Sequence, residues 1–294
     1  MKIAGQVSLA DLPRICPLLC RTTHPEYGET ETRVVEVRGV RFGGGRPVVI
    51  GGPCAVESEE QTLGVARAVR RAGADLLRGG AYKPRTSPHD FQGTGRNGLR
   101  ILRAAREETG LPVVTEAMDT RLVEQVAEHA DMIQIGSRNM QNYALLAEAG
   151  RSGKPVLLKR GMAASLCEWL GAAEYIAQQG NLDIVLCERG IKAFAGGEYS
   201  RYVLDLNVIP AVRAHTFLPV IVDPSHATGV ASMVEPASRA ALEFGSQGLI
   251  IEVADPASSP KCDAIQAIGP ETLANIVQFA RGRVDSPVLK AGVA

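Results

Sequence analysis

The sequence predicts a (β/α)8 TIM barrel preceded by a short N-terminal extension and a β-hairpin. Two observations predict it. After Pro47, eight short apolar runs alternate with helical patterns and recur at roughly 20–37-residue intervals, the period of βα units. The competing fold, a doubly wound open sheet, usually carries a G-x-G-x-x-G turn at its switch point, and none follows any of these runs. The 294 residues, 45% of them hydrophobic, suffice for one barrel of this kind or for two ordinary domains.

Residues 1–46 read as extension and hairpin, and 47–294 as the catalytic barrel. Ser8 to Pro13 can start a short helix, and Thr22 to Thr32 is polar loop. Arg33 to Val40 alternates apolar and polar residues, so it reads as a half-exposed strand pairing with Val40-Arg41-Phe42. About thirty residues before a hairpin are too few to bury a core of their own, so no independent regulatory domain is expected there. Gly43-Gly44-Gly45 then breaks the chain.

The barrel strands are predicted at Val48–Ile50, Leu76–Leu77, Val113–Val114, Met132–Ile135, Val156–Leu158, Ile184–Leu186, Val220–Val222 and Leu249–Ile251. Short continuous apolar runs of this type fit parallel strands buried on both faces. Helical patterns between them include Gln61–Ala72, Gly98–Thr109, Arg121–His129, Ser165–Gln179, Pro236–Gly245 and Pro270–Arg281.

Composition narrows the function. With 32 basic and 32 acidic residues the chain is no general polyanion binder, so nucleic acid is not an expected partner. No apolar run reaches membrane-spanning length and no secretory leader pattern opens the chain, so a cytoplasmic protein is expected. The six cysteines lack small-scaffold spacing and should be mostly buried thiols.

In a barrel of this type, function sits where strands end. Strand 1 ends in Cys54 with Glu57 behind it, strand 2 in Arg78, strand 3 in Glu116, and strand 4 in Gly136-Ser137-Arg138. The remaining four end in Lys159-Arg160, Glu188-Arg189, Asp223-Pro224-Ser225-His226 and Glu252, with Asp263 in the last loop. The strand starts are mostly Pro, Ala and Leu. Charge gathered at one end of the strands argues for an enzyme.

The ends separate by chemistry. In a closed barrel, strand 8 neighbours strands 7 and 1, so Cys54, His226, Glu252 and Asp263 should converge. A sulfur, an imidazole and two carboxylates suit Mn, Fe, Co or Zn better than Mg or Ca. Singly, each has a structural reading, as a buried thiol or a hydrogen-bonded loop residue. Across the mouth, Arg78, Lys83, Arg85, Arg138, Lys159, Arg160 and Arg189 exceed the needs of one monophosphate. Some could serve as structural partners of Glu116, Glu188 or Asp205; the rest suit phosphate plus carboxylate, or two phosphorylated substrates. The loop Arg78 to Pro88 sets three cations on a glycine-opened, proline-stiffened scaffold. By composition it is either a phosphate cradle or a solvated basic loop, and its position after strand 2 favours the cradle.

These motifs resemble those of the 3-deoxy-D-arabino-heptulosonate 7-phosphate (DAHP) synthase family. They are Gly52-Pro53-Cys54-Ala55-Val56-Glu57-Ser58, Arg78 to Pro88 with Phe91-Gln92-Gly93, and Gln134-Ile135-Gly136-Ser137-Arg138-Asn139. Further along come Pro155 to Gly161, Leu186-Cys187-Glu188-Arg189-Gly190 and Val222-Asp223-Pro224-Ser225-His226. The chain is similar to the short-chain type I subgroup, related to 3-deoxy-octulosonate 8-phosphate synthase, over roughly residues 33–281.

The resemblance implies the first step of the shikimate pathway, condensation of phosphoenolpyruvate with erythrose 4-phosphate. It implies Cys54, His226, Glu252 and Asp263 as ligands of a divalent metal. It implies Arg78, Lys83, Arg138, Lys159 and Arg189 as holding phosphoenolpyruvate, and Lys83, Pro84, Arg85 and Thr86 as holding the aldose phosphate. Lys83, Lys159, Glu116 and His226 are the expected catalytic set. A homo-oligomer, dimer or tetramer, is also expected. Where the octulosonate enzyme typically reads Lys-Ala-Asn-Arg-Ser, this chain reads Lys83-Pro84-Arg85-Thr86-Ser87. A synthase using another aldose phosphate and a non-catalytic binding barrel remain the alternatives. The chain departs from the family in Ala254-Asp255-Pro256, where His-Pro is common after Glu-Val, which leaves Asp255 as an alternative fourth ligand. Cys262 is a further departure and is expected to form a disulfide with Cys54 under oxidation, expelling the metal.

Overall fold

The structure is a computed structural model that describes residues 8–28, 31–85, 87–193, 201–254 and 265–283. The hairpin forms as expected. Strands β1 (Val35–Val37) and β2 (Val40–Phe42) pair antiparallel with Val35 opposite Phe42. Arg38 and Gly39, both at positive φ, make the two-residue turn whose twist matches the strands.

Eight parallel strands close the barrel, each neighbouring the next and the last pairing with the first. They are β3 (Val48–Gly52), β4 (Leu76–Arg78), β5 (Val113–Glu116), β6 (Met132–Ile135), β7 (Val156–Lys159), β8 (Ile184–Glu188), β9 (Val220–Val222) and β10 (Gly248–Glu252). All eight predicted runs are present. A period of two is hidden inside these fully buried runs. Val48, Ile50, Leu76, Val114, Met132, Leu157, Val185, Ile221 and Ile250 pack together inside the barrel with Val35, Val37 and Phe42 of the hairpin, which closes one end. Their neighbours, such as Val49, Leu77, Val113, Ile133 and Leu158, pack outward against the helices.

The helices are α1 (Leu12–Ile15), α2 (Glu59–Arg71), α3 (Arg96–Thr109), α4 (Val123–His129), α5 (Tyr143–Arg151), α6 (Leu166–Ala177), α7 (Val208–His215), α8 (Pro224–Thr228), α9 (Ala231–Glu243) and α10 (Pro270–Arg281). Local chemistry starts several of them. The Ser58 side chain accepts the Gln61 N–H at α2, and Ser165 and Glu168 form a capping box at α6. Several predicted boundaries shift by one or two residues, and two differences have a local cause. The pattern from Arg121 opens as a 3₁₀ turn, Thr120–Leu122, before α4. Pro236, expected to start a helix, lies inside α9. Burial of Val234 against the core keeps the preceding turn helical despite the lost N–H.

The extension packs onto the barrel wall. Leu12, Cys16, Leu19 and Cys20 join the main core, and the Leu18 N–H donates to Glu174 Oε1 of α6 at 2.9 Å. The buried Arg21 guanidinium donates to the carbonyls of Tyr27, Gly28, Glu31 and Thr216, and Tyr27 stacks on Phe217 at 4.0 Å. Among the described residues, no helix is long and apolar enough to cross a membrane.

Candidate active site

Strand parity decides which charged side chains enter the barrel. Two residues beyond an inward-facing apolar residue, the next side chain points inward again. Arg78 thus follows Leu76, Glu116 follows Val114, Gln134 follows Met132, and Lys159 follows Leu157. Asp223 and Glu252 follow Ile221 and Ile250 in the same way. All six are buried. They form a polar layer over the apolar one, at the strands' C-terminal ends.

This layer floors a cavity of about 240 Å³. Of the expected site residues, Arg78, Lys83, Pro84, Arg85, Glu116, Arg138, Lys159, Arg189 and His226 line it. Arg160 does not, and this corrects its expected place in the cationic wall. One step beyond Lys159, it has the opposite parity and points outward. Its Nη1 donates to Glu188 Oε2 at 3.0 Å and Asp205 Oδ2 at 2.8 Å, and its Nε donates to the Ala164 carbonyl. Thr86 and Asp263 lie outside the described residues, as do Asp255 and Cys262.

Cys54, His226 and Glu252 cluster at the cavity, one donor atom of each lying within 4.8 Å of the others; His226 lines the cavity, and Cys54 and Glu252 are buried beside it. Gly52 brings the first loop there. It adopts φ +148°, and a Cβ on it would lie 2.1 Å from the Arg78 carbonyl oxygen, so only glycine permits this approach. His226 sits in α8, whose first turn is capped by Asp223 accepting the His226 N–H at 3.0 Å. Asp223 Oδ2 also accepts from His226 Nδ1 at 2.7 Å, which turns Nε2 towards Glu252 Oε1, 3.1 Å away. The same Asp223 oxygen is ion-paired with Lys159. Gln266 Nε2 donates to Glu252 Oε2 at 2.5 Å.

The electrostatics follow from this crowding. Burial opposes ionisation of Asp223, but His226, Lys159 and Arg78 overcome it and hold its carboxyl far below the usual range. Glu252 is likewise desolvated, and His226 and Arg78 pull its pKa down. Burial disfavours charge on Lys83, yet the Cys54 sulfur and Glu252 outweigh it and push its pKa up. For the bare protein, burial works against the His226 imidazolium and Asp223 and Glu252 more than compensate, giving a pKa of about 9. Lys83 Nζ donates to Cys54 Sγ at 2.9 Å and to the Cys54 carbonyl at 3.1 Å.

The donor set fits a divalent metal. It offers a sulfur beside an ammonium, an imidazole whose second nitrogen is engaged by a carboxylate, and a buried carboxylate. Around it, Arg78, Lys83, Arg138, Lys159 and Arg189 make the cavity lining cationic, and Arg78 Nη2 lies 3.3 Å from Glu252 Oε1. Glu116 Oε1 is buried with no hydrogen-bond donor among the described residues, while Oε2 accepts from Gln134 Nε2 at 3.2 Å. Sequence reasoning missed Arg201 and Tyr202, which also line the cavity. They lie in an irregular loop where no periodicity marks them. Asp223 did carry a local signal, an acid at a strand end three residues before a histidine.

A closed parallel barrel with sulfur, imidazole and carboxylate donors beside a cationic cavity defines a (β/α)8 enzyme whose mouth suits small anionic molecules. The chain belongs to the DAHP synthetase I family, whose model matches residues 27–284. It is 44% identical over 269 residues to the phospho-2-dehydro-3-deoxyheptonate aldolase of Thermotoga maritima, covering 92% of this chain and 78% of that protein. The crystal structure of that DAHP synthase superposes with a TM-score of 0.83, covering 89% of this chain and 74% of the other. A truncated form of 3-deoxy-D-arabino-heptulosonate 7-phosphate synthase from the same organism gives 0.81 at 41% identity, covering 90% and 94%. A 2-dehydro-3-deoxyphosphooctonate aldolase of Syntrophotalea carbinolica is 35% identical over 253 residues, 80% of this chain and 90% of its own.

Proposed function

We propose that the chain is a metal-dependent DAHP synthase, joining phosphoenolpyruvate to erythrose 4-phosphate with uptake of water and release of inorganic phosphate. This is the first step of the shikimate pathway. The observation that carries the reading is the donor set Cys54, His226 and Glu252 beside a cavity lined by lysine and arginine. Asp263 is the proposed fourth ligand. A bound Mn, Fe, Co or Zn ion supplies Lewis-acid polarisation of the aldehyde.

The chain's own residues do the rest. Arg78, Lys83, Arg138, Lys159 and Arg189 hold the phosphate and carboxylate of phosphoenolpyruvate, offsetting its repulsion with the second phosphate. Lys83, Pro84, Arg85 and Thr86 hold the aldose phosphate, with Lys83 between the two substrates. The new bond joins C3 of phosphoenolpyruvate to the aldehyde carbon. Positive charge then develops at C2, where water adds before phosphate leaves. Lys159 and Glu116 manage that water and its protons.

Residues 1–46 are read as an extension and hairpin serving the barrel, the assembly as a homo-dimer or tetramer, and the protein as cytoplasmic. The octulosonate relatives favour a second reading, condensation with arabinose 5-phosphate; Pro84 and Arg85 weigh against it. Phosphate release separates the readings. It should be seen with erythrose 4-phosphate, be weak with arabinose 5-phosphate, and be lost with a chelator. No release with any aldose would refute the enzyme reading.

A further inference from the structure

Arg201 and Tyr202 lie at the cavity rim. Ile191 and Val203 exchange backbone hydrogen bonds at 2.9 and 3.0 Å, and the N–H groups of Arg201 and Tyr202 donate to the carbonyls of Thr228 and Ala227. Residues 201–203 are thus tied at once to the end of β8 and to the last turn of α8, the helix that carries His226. Their side chains engage different partners, although the Arg201 guanidinium itself lies 5.7 Å from the Tyr202 ring. Arg201 Nη1 donates to Gln266 Oε1 at 3.1 Å, and buried Gln266 in turn donates to Glu252 Oε2. The Arg189 guanidinium lies 4.2 Å above the Tyr202 ring, whose hydroxyl donates to Met162 Sδ at 3.3 Å.

We propose that Arg201 and Tyr202 form a positioning strap: Arg201 orients Glu252 through Gln266 in the metal donor set, and Tyr202 orients Arg189 in the cationic lining. The proposal rests on the functional reading above. The physical logic is division of labour. A carboxamide can present either its oxygen or its N–H₂ to Glu252. Only the N–H₂ orientation attracts the carboxylate, and the Arg201 donor on the oxygen fixes that choice. Arg189 carries five donors on a flexible stem, and the aromatic face limits it to one plane.

Direct binding to metal-free protein tests each half without turnover. Cobalt(II) is titrated by calorimetry and by its sulfur-to-metal absorption band, and phosphoenolpyruvate is titrated separately. Arg201→Met should weaken cobalt at least tenfold and weaken phosphoenolpyruvate by less. Arg201→Lys, which keeps a donor for Gln266, should recover most of the loss. Tyr202→Leu should weaken phosphoenolpyruvate about tenfold with cobalt affinity unchanged, and Tyr202→Phe, which keeps the ring, should bind like the parent. Unchanged cobalt affinity in Arg201→Met, or equal losses of both ligands in Arg201→Met and Tyr202→Leu, would overturn the strap. A parent protein that binds neither cobalt nor phosphoenolpyruvate would overturn the functional reading as well.

Discussion

Replacing Gly136 with alanine should damage the reaction while leaving the fold intact. Gly136 has φ −71°, an ordinary conformation for alanine, so backbone entropy alone favours the substitution by about 0.4–1 kcal/mol. Sterics act in the opposite direction. The new Cβ would stand 2.1 Å from Glu116 Oε1 and 2.9 Å from its Cδ, where real contacts keep 3.0 Å or more. The carboxylate must therefore move by about 1 Å, since the packed barrel leaves the methyl nowhere else to go. That shift strains the 3.2 Å bond from Gln134 and removes Glu116 from the place where water should add to C2. Misplacement of this size costs on the order of 100-fold in kcat. Steady-state kinetics with both substrates, alongside a thermal melt, checks the result. The expected outcome is a melting temperature within a few degrees of the parent, a KM for phosphoenolpyruvate changed less than threefold, and a kcat down by about two decades. Glu116→Gln should match it. Parental kcat in Gly136→Ala would refute the placement of Glu116 in the chemistry.

Other substitutions separate the site's parts. Cys54→Ala should lower bound metal, measured by elemental analysis, and abolish phosphate release, since it removes the sulfur donor and the partner of Lys83. The triple exchange Pro84→Ala, Arg85→Asn and Thr86→Arg should raise KM for erythrose 4-phosphate much more than for phosphoenolpyruvate; equal rises would mean that this loop does not select the sugar. Arg160→Leu should cost about 3–5 kcal/mol in denaturant unfolding by stranding Glu188 and Asp205, yet leave both KM values close to the parent's.

The comparison of Lys159 with Arg160 shows how far local sequence reaches. Both follow the same apolar run and carry the same sign. An alternating chain must send one inward and the other outward, and only the packing of Leu157 inside and Leu158 outside decides which. The same holds for Glu188, which faces Arg160 rather than the cavity.

The sequence by itself determined the barrel. Its eight buried runs, their βα spacing and the charge at their ends are local signals, because every strand must bury apolar side chains and every end faces the mouth. It also placed Cys54, His226 and Glu252 together, since closure brings the first strand beside the last. Tertiary structure alone decided what joins these ends. Lys159 meets Asp223 across 64 residues, and Arg201, in a loop with no periodicity of its own, meets Gln266 across 65. Such contacts depend on where a closed barrel sets its loops in space, and no short-range pattern encodes that distance.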